Sequence, residues 1–388
     1  MAKTSHSSRP PALPPMGLGE CLIGAAELRN VTQVIRSQTL FRYYGVGNAP
    51  HPDSFASRVE RAGEKMNGVA YALGVSSGTA ALEVALGALG VGPGDEVILP
   101  AWSWVSCFVA IVRMGAQPVL AEVDDTLNLD PAEIARLTTP RTRGVLVVHY
   151  QGVPADLDPI LSAAKARGLW VLEDNAESLG TTYRGKPVGS LGDMGICSFQ
   201  QRKVVTTGEG GMVLTNSAKL YERSVRMSDL GLYRPEHQAR ARAQEPMFTG
   251  SNFRMSELAA AVALAQLARV APMVKKVRAL RDTLRAEIGE IPGVVWRRIP
   301  DPQGDIGFET YLFMPTAKQA DAVRTRATQR GVTLTPHTGT YAQTAREYVK
   351  NRSTHAAGRS PFQHYKKWPA PGYRPEDFPR THDLAARL

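Results

Sequence analysis

Through the first two thirds of the chain, short apolar runs alternate with stretches whose apolar residues recur every three to four positions. Residues 79–89 read as a helix rich in Ala and Leu, 96–99 as a short apolar strand, 104–114 as a helix and 118–123 as a strand. The rhythm continues with a helix over 131–137, capped by Asp130 and opened by Pro131, then a strand over 144–149, a helix over 159–166 and a strand over 170–173. Strands and helices alternating on this spacing predict an α/β fold with a mostly parallel sheet covered on both faces. Ligands in such sheets bind beyond the carboxyl ends of the strands, so the residues just after each strand are the ones to read for chemistry.

Beyond Gly250 the pattern changes to long helices, over 256–270 and 274–288, the second with many charges on one face. Strands near 294–297 and 308–313, a helix over 317–330 and a strand over 332–335 then suggest a small α/β unit. Residues 341–388 are Pro-rich and irregular and receive no assignment. The first 20 residues, with Pro10, Pro11, Pro14 and Pro15 among Ser and Gly, read as a loose arm. A chain of 388 residues exceeds what one core usually serves, so the expected division is an arm over 1–20, a large domain over 21–272 and a small C-terminal domain over 273–388.

Composition narrows the function classes. The chain is 43% hydrophobic, enough for a full core, yet no apolar run is long enough to span a bilayer, and the opening Met1-Ala2-Lys3-Thr4-Ser5 lacks the apolar stretch of a signal peptide. The expectation is a cytoplasmic protein with no membrane partner. Cys21, Cys107 and Cys197 are odd in number and far apart, which reads as buried thiols rather than a disulfide framework, and none of the eight histidines forms a short metal-binding pair. A formal charge of +10 raises nucleic acid as a partner, but the basic residues are scattered and no nucleic-acid module is visible; a solvated basic surface, or attraction of a doubly charged phosphate substrate, explains the charge better.

Four segments carry candidate chemistry. Ser76-Ser77-Gly78-Thr79 opens a helix, where unpaired N–H groups and the dipole can hold a phosphate, although a serine cap alone would look the same. Trp102-Ser103-Trp104 follows a strand and offers an indole to a flat ring, with core packing the default for either tryptophan. Glu173-Asp174-Asn175-Ala176-Glu177 ends another strand. Asp174 there can keep a pyridine nitrogen protonated, and Glu173 points to the opposite side. Lys203 precedes the turn Gly208-Glu209-Gly210-Gly211, a nucleophile beside backbone that a flat cofactor can approach, where most lysines are surface charges. A phosphate site, a stacking ring, an acid for a ring nitrogen and a lysine together fit pyridoxal 5′-phosphate.

In these residues the chain resembles the DegT/DnrJ/EryC1/StrS family of pyridoxal-phosphate sugar aminotransferases, with the aspartate aminotransferase-like, fold-type I architecture. The resemblance covers residues 41–267. It implies Gly78, Thr79 and Ser198 as phosphate ligands, Trp104 as the stacking ring, Asp174 as partner of the pyridine nitrogen, Glu177 close to the ring and Lys203 as the Schiff-base lysine and proton carrier. Gly250-Ser251-Asn252-Phe253-Arg254-Met255 is similar to a family motif in which Asn252 reaches the neighbouring subunit's phosphate, which implies a homodimer with shared active sites. Arg254, His337 and Tyr341 are candidate substrate contacts.

The implied reaction moves an amino group from glutamine or glutamate to a keto-sugar or keto-cyclitol in sugar or antibiotic biosynthesis, and Gln200-Gln201 leans toward the glutamine-dependent cyclitol enzymes. The alternative is a family member that dehydrates or tailors without transaminating; in the related dehydratases a histidine replaces the lysine, and this chain keeps Lys203. Relatives continue past the equivalent of Phe378-Pro379-Arg380-Thr381 into a last strand and helix, so with its end at Leu388 the small domain is expected to be cut short or closed differently.

Overall fold

The alternating stretch forms a seven-stranded sheet in the order β1-β9-β8-β5-β4-β2-β3. The computed structural model describes residues 17–45, 47, 51–334, 341–355, 362 and 372–388. Its strands are β1 (Tyr71–Val75), β2 (Glu96–Pro100), β3 (Gln117–Ala121), β4 (Thr142–Val148), β5 (Trp170–Asp174), β8 (Met194–Ser198) and β9 (Gly211–Thr215), with a short β6–β7 hairpin (Thr182–Tyr183, Lys186–Pro187) outside it. Only β9 runs against the rest, pairing antiparallel with both β1 and β8. The other neighbouring pairs are parallel.

Because successive strand residues face opposite sides, each strand feeds two cores. Leu73, Val97, Leu99, Leu146, Leu172 and Val213 pack on one face beneath α3 (Gly78–Ala88), α4 (Ser106–Arg113) and α7 (Ala218–Ser228). Ile98, Val119, Val145, Val147 and Val171 pack on the other beneath α5 (Pro131–Leu137) and α6 (Leu157–Lys165). Farther along that second face, Ala72, Met212 and Leu214 meet α2 (Phe55–Asn67) and α9 (Glu257–Leu267). All five parallel crossovers, the one from β1 through α3 included, therefore deliver their strand ends to one edge.

Four expectations need correcting. Cys21, read as a buried thiol, is exposed, whereas Cys107 and Cys197 are buried. The break between the long helices falls at Ala268–Arg269, where α9 meets α10 (Val270–Ile288) at a bend of 52°. Pro272 lies inside the first turn of α10, where the missing N–H costs nothing, so it does not set the boundary. The strand expected over 308–313 is only β11 (Leu312–Phe313), because its partner β10 (Val295–Trp296) is two residues long. No strand forms over 332–334, and Thr335 lies outside the described residues.

The unassigned C-terminal stretch holds a helix at Pro379–Arg387. Its first turn is capped by Glu122, just past β3, whose carboxylate accepts from the N–H groups of Arg380 at 3.0 Å and Thr381 at 2.8 Å. Among the described residues no single helix is long and apolar enough to cross a membrane.

Candidate active site

The end of β5 separates two adjacent acids. Glu173 is fully buried on one side and accepts from the N–H groups of Gly189 at 2.8 Å, Leu191 at 2.7 Å and Gly192 at 2.6 Å. His149 Nδ1 accepts from the Ala155 N–H, so its proton sits on Nε2, which donates to Glu173 at 2.9 Å. Burial alone would raise the Glu173 carboxyl; the bonds from His149, Gly189 and Gly192 hold it below the usual range. Glu173 thus anchors a loop.

Asp174 faces the other way, toward the carboxyl edge. Its Oδ1 accepts from the Ala176 N–H at 2.9 Å and its Oδ2 from the Cys107 thiol at 3.0 Å. Burial pushes its carboxyl above the usual range, opposed by those two bonds and by the charge of Lys203. A buried carboxylate in that condition gains from a cationic partner, which a protonated ring nitrogen would be.

Lys203 and Glu177 meet at this edge, with Nζ 3.1 Å from Oε1. Tyr341 brings the C-terminal part of the chain to the same acid: its hydroxyl donates to Glu177 Oε1 at 3.4 Å and accepts from Gln151 Nε2 at 3.1 Å. Burial and the Glu177 charge push the Tyr341 phenol far above its ordinary range, so it keeps its proton. Gln151 also offers its backbone N–H to Glu177 Oε2 at 3.4 Å, and holds a left-handed conformation at φ 51° to do so.

At the neighbouring strand ends, Ser77 caps α3 by accepting from the Ala80 N–H at 3.0 Å. That leaves the earlier N–H groups of the first turn for an anion. A Cβ on Gly78 would lie 2.7 Å from the Ser198 Cβ, and one on Gly211 would lie 2.5 Å from the Ser77 carbonyl oxygen. Glycine at both places lets β8, β9 and the helix start converge. The Thr79 hydroxyl donates to Ser106 Oγ at 3.0 Å.

Of the two tryptophans, Trp102 is wholly buried and packs edge-on against Tyr150, whereas Trp104 is 45% exposed between Tyr341 and Arg346. Trp104 is the one open to a flat ring.

Asn252 is exposed and bridges to Asp229, and Arg254 is ion-paired to the buried Asp229, which Arg234 also holds at 2.5 Å. This segment runs beside the α3 start, since Ser76 N–H bonds the Phe253 carbonyl at 2.8 Å. His337 lies outside the described residues. Periodicity gave no sign of Gln151, Cys107 or Glu309. Burial and the charge of Glu177 push the Glu309 carboxyl up to about 6, against Arg297. Only the position of Gln151-Gly152 just past β4 marked that turn.

The model of the DegT/DnrJ/EryC1/StrS aminotransferase family matches residues 22–365. The chain belongs to this family. A member from Caulobacter vibrioides, GDP-perosamine synthase, is 42% identical over 217 residues, which are 56% of this chain and 57% of that protein. The Escherichia coli protein of the same name is 37% identical over 239 residues, 61% of this chain and 64% of its own length. The chain thus spans less than two thirds of these relatives. In fold it is similar to 3-amino-5-hydroxybenzoic acid synthase, at 29% identity and a TM-score of 0.74, covering 97% of this chain and 92% of that one. The family's cofactor is pyridoxal phosphate, and the residues at the carboxyl edge fit it: a buried acid for the ring nitrogen, an open indole, a free helix start and a lysine within reach of an acid.

Proposed function

We propose that this protein is a pyridoxal-phosphate-dependent aminotransferase that moves an amino group from glutamine or glutamate to a keto-sugar or keto-cyclitol. The observation that carries the reading is the convergence of Lys203, Glu177 and Asp174 at one sheet edge. Gly78, Thr79 and Ser198 would hold the phosphate, Trp104 would cover one face of the ring, Asp174 would keep the ring nitrogen protonated and Lys203 Nζ would anchor the cofactor. Bound there, the cofactor supplies an electron-withdrawing ring and the carbon that carries the amino group.

Lys203 Nζ, once free, is the base that moves the proton at the substrate α-carbon, and Glu177 Oε1 keeps it in place. Asp174 is shielded from water and keeps its charge opposite a cation. Arg254, Tyr341 and His337 complete the substrate contacts of this reading, within a large unit over 21–272 and a smaller one over 273–388. Exposed Phe41, Tyr44 and Leu230 lie around Asn252 and Arg254, which supports a homodimer in which Asn252 reaches a partner's phosphate site.

The name of the two relatives favours a nucleotide-linked keto-sugar as acceptor, in sugar or secondary-metabolite biosynthesis in the cytoplasm. The test is a half-reaction: protein loaded with pyridoxal phosphate and given L-glutamine or L-glutamate should convert its cofactor to the pyridoxamine form. A Lys203→Ala protein that kept both the visible absorbance and turnover would overturn the assignment.

A further inference from the structure

The fold gives one of the three widely spaced cysteines a charged partner. Cys107, in the first turn of α4 and 1% exposed, donates its thiol to Asp174 Oδ2 at 3.0 Å. Asp174 Oδ1 is held by the Ala176 N–H of its own loop, so the thiol is the contact from a separate element that fixes the plane of the carboxylate. Burial, reinforced by the charge of Asp174, pushes the thiol well above its ordinary range, and it therefore remains a donor at working pH. The turn ahead of α4 is itself braced from the C-terminal part of the chain. Gln343 Nε2 donates to Ser103 Oγ at 2.8 Å and to the Trp104 carbonyl at 3.1 Å, and the Ser103 N–H donates to the Tyr341 carbonyl at 2.9 Å.

We propose that Cys107 is a positioning residue, whose thiol holds the Asp174 carboxylate in the orientation that grips the ring nitrogen of the cofactor. The inference rests on the aminotransferase reading above. A thiol is a weak donor, so it orients the carboxylate while leaving most of its hydrogen-bonding capacity for the ring. The other ionisable groups facing Asp174 are Lys203, Glu177 and Cys197.

Two variants separate hydrogen bonding from packing. Cys107→Val keeps the volume and cannot donate; Cys107→Ser donates and is smaller. Full-length apo-proteins are checked by thermal unfolding, then titrated with pyridoxal phosphate by equilibrium dialysis, and the visible band of the loaded proteins is followed against pH. The valine variant is expected to bind about tenfold more weakly, with a displaced pH midpoint, and the serine variant to stay close to wild type in affinity. Valine binding as tightly as serine with an unchanged midpoint, or serine losing as much as valine, overturns the proposal. Should the valine variant not fold, the serine variant decides: its stronger hydroxyl donor must displace the pH midpoint from that of wild type, and an unchanged midpoint overturns the proposal. Wild-type protein that takes up no cofactor overturns the aminotransferase reading itself, whereas uptake without a valine–serine difference overturns only the role of Cys107.

Discussion

Lys203 Nζ and the Tyr341 hydroxyl share one oxygen, Glu177 Oε1, at 3.1 and 3.4 Å. Glu177 therefore both balances the ammonium and ties it to the C-terminal part of the chain. Glu177→Gln is expected to slow the half-reaction with L-glutamate by about a hundredfold while the protein still takes up cofactor, since a mispositioned base forfeits most of its catalytic factor. Tyr341→Phe, which removes the longer contact to Glu177 together with the bond from Gln151, should cost less than about tenfold. Single-turnover kinetics of both variants check this; unchanged rates for Glu177→Gln would remove that residue from the mechanism.

Glu309 carries a pH signature. Its carboxyl rises from 4.5 to about 6 in the folded protein, so the fold binds this proton more tightly than the unfolded chain does. The charged form is the disfavoured one: the penalty is absent below 4.5, grows as pH rises through the window, and is complete above about 6. Glu309→Gln should therefore stabilise the protein by up to about 2 kcal/mol above that window and leave it unchanged below. Urea unfolding of both proteins at several pH values measures the difference, and a constant offset across the window would contradict it.

The two tryptophans should separate stability from binding. Trp102→Ala empties a fully buried site and is expected to cost roughly 3–5 kcal/mol of stability. Trp104→Ala, at a half-open position, should leave the melting temperature nearly unchanged and weaken cofactor binding by about tenfold through lost ring contact. Calorimetry of the apo-proteins beside cofactor titration distinguishes the two; a reversal of the pattern would exchange their roles.

Gly211 tests the convergence of β9 with the start of α3. A Cβ there meets the Ser77 carbonyl oxygen at 2.5 Å and the Cys197 carbonyl oxygen at 2.9 Å, both backbone atoms that cannot rotate away. Gly211→Ala is expected to destabilise by about 1–3 kcal/mol and to weaken cofactor binding, because the strand must move off the phosphate end. Substitution of the open Gly208 meets no neighbour and carries only left-handed strain at φ 80°, which Gly211 lacks, and should spare the binding. Equal loss of binding in both would remove the close approach at Gly211 as its cause.

The central βα units were legible because β2, β3, β4 and β5 are runs of Val, Ile and Leu buried on both faces, each followed by a helix with its own periodicity. β8 and β9 were not, and their residues explain it. Gly195 lies where a Cβ would come within 2.1 Å of the Gly189 carbonyl, and Gly211 closes on Ser77, so close backbone approach has removed the side chains that signal a strand. At the site, Lys203, Asp174 and Thr79 stood next to recognisable turns. Periodicity left Trp102 and Trp104 open and only the family motif pointed to Trp104, while Cys107 and Gln151 gain their roles from distant partners, Asp174 and Tyr341, 67 and 190 residues away.

The neighbouring acids of β5 have a consequence for how the site comes into being. Glu173 needs three backbone amides and an imidazole; Asp174 needs a thiol and a cation. A one-residue slip of β5 that turned Asp174 onto the amides would bring the neutral Asn175 to the sheet edge in its place. Neither acid satisfies the other's surroundings, so a misaligned strand loses its loop anchor and its ring partner together. Cofactor uptake is therefore expected to report correct alignment of β5.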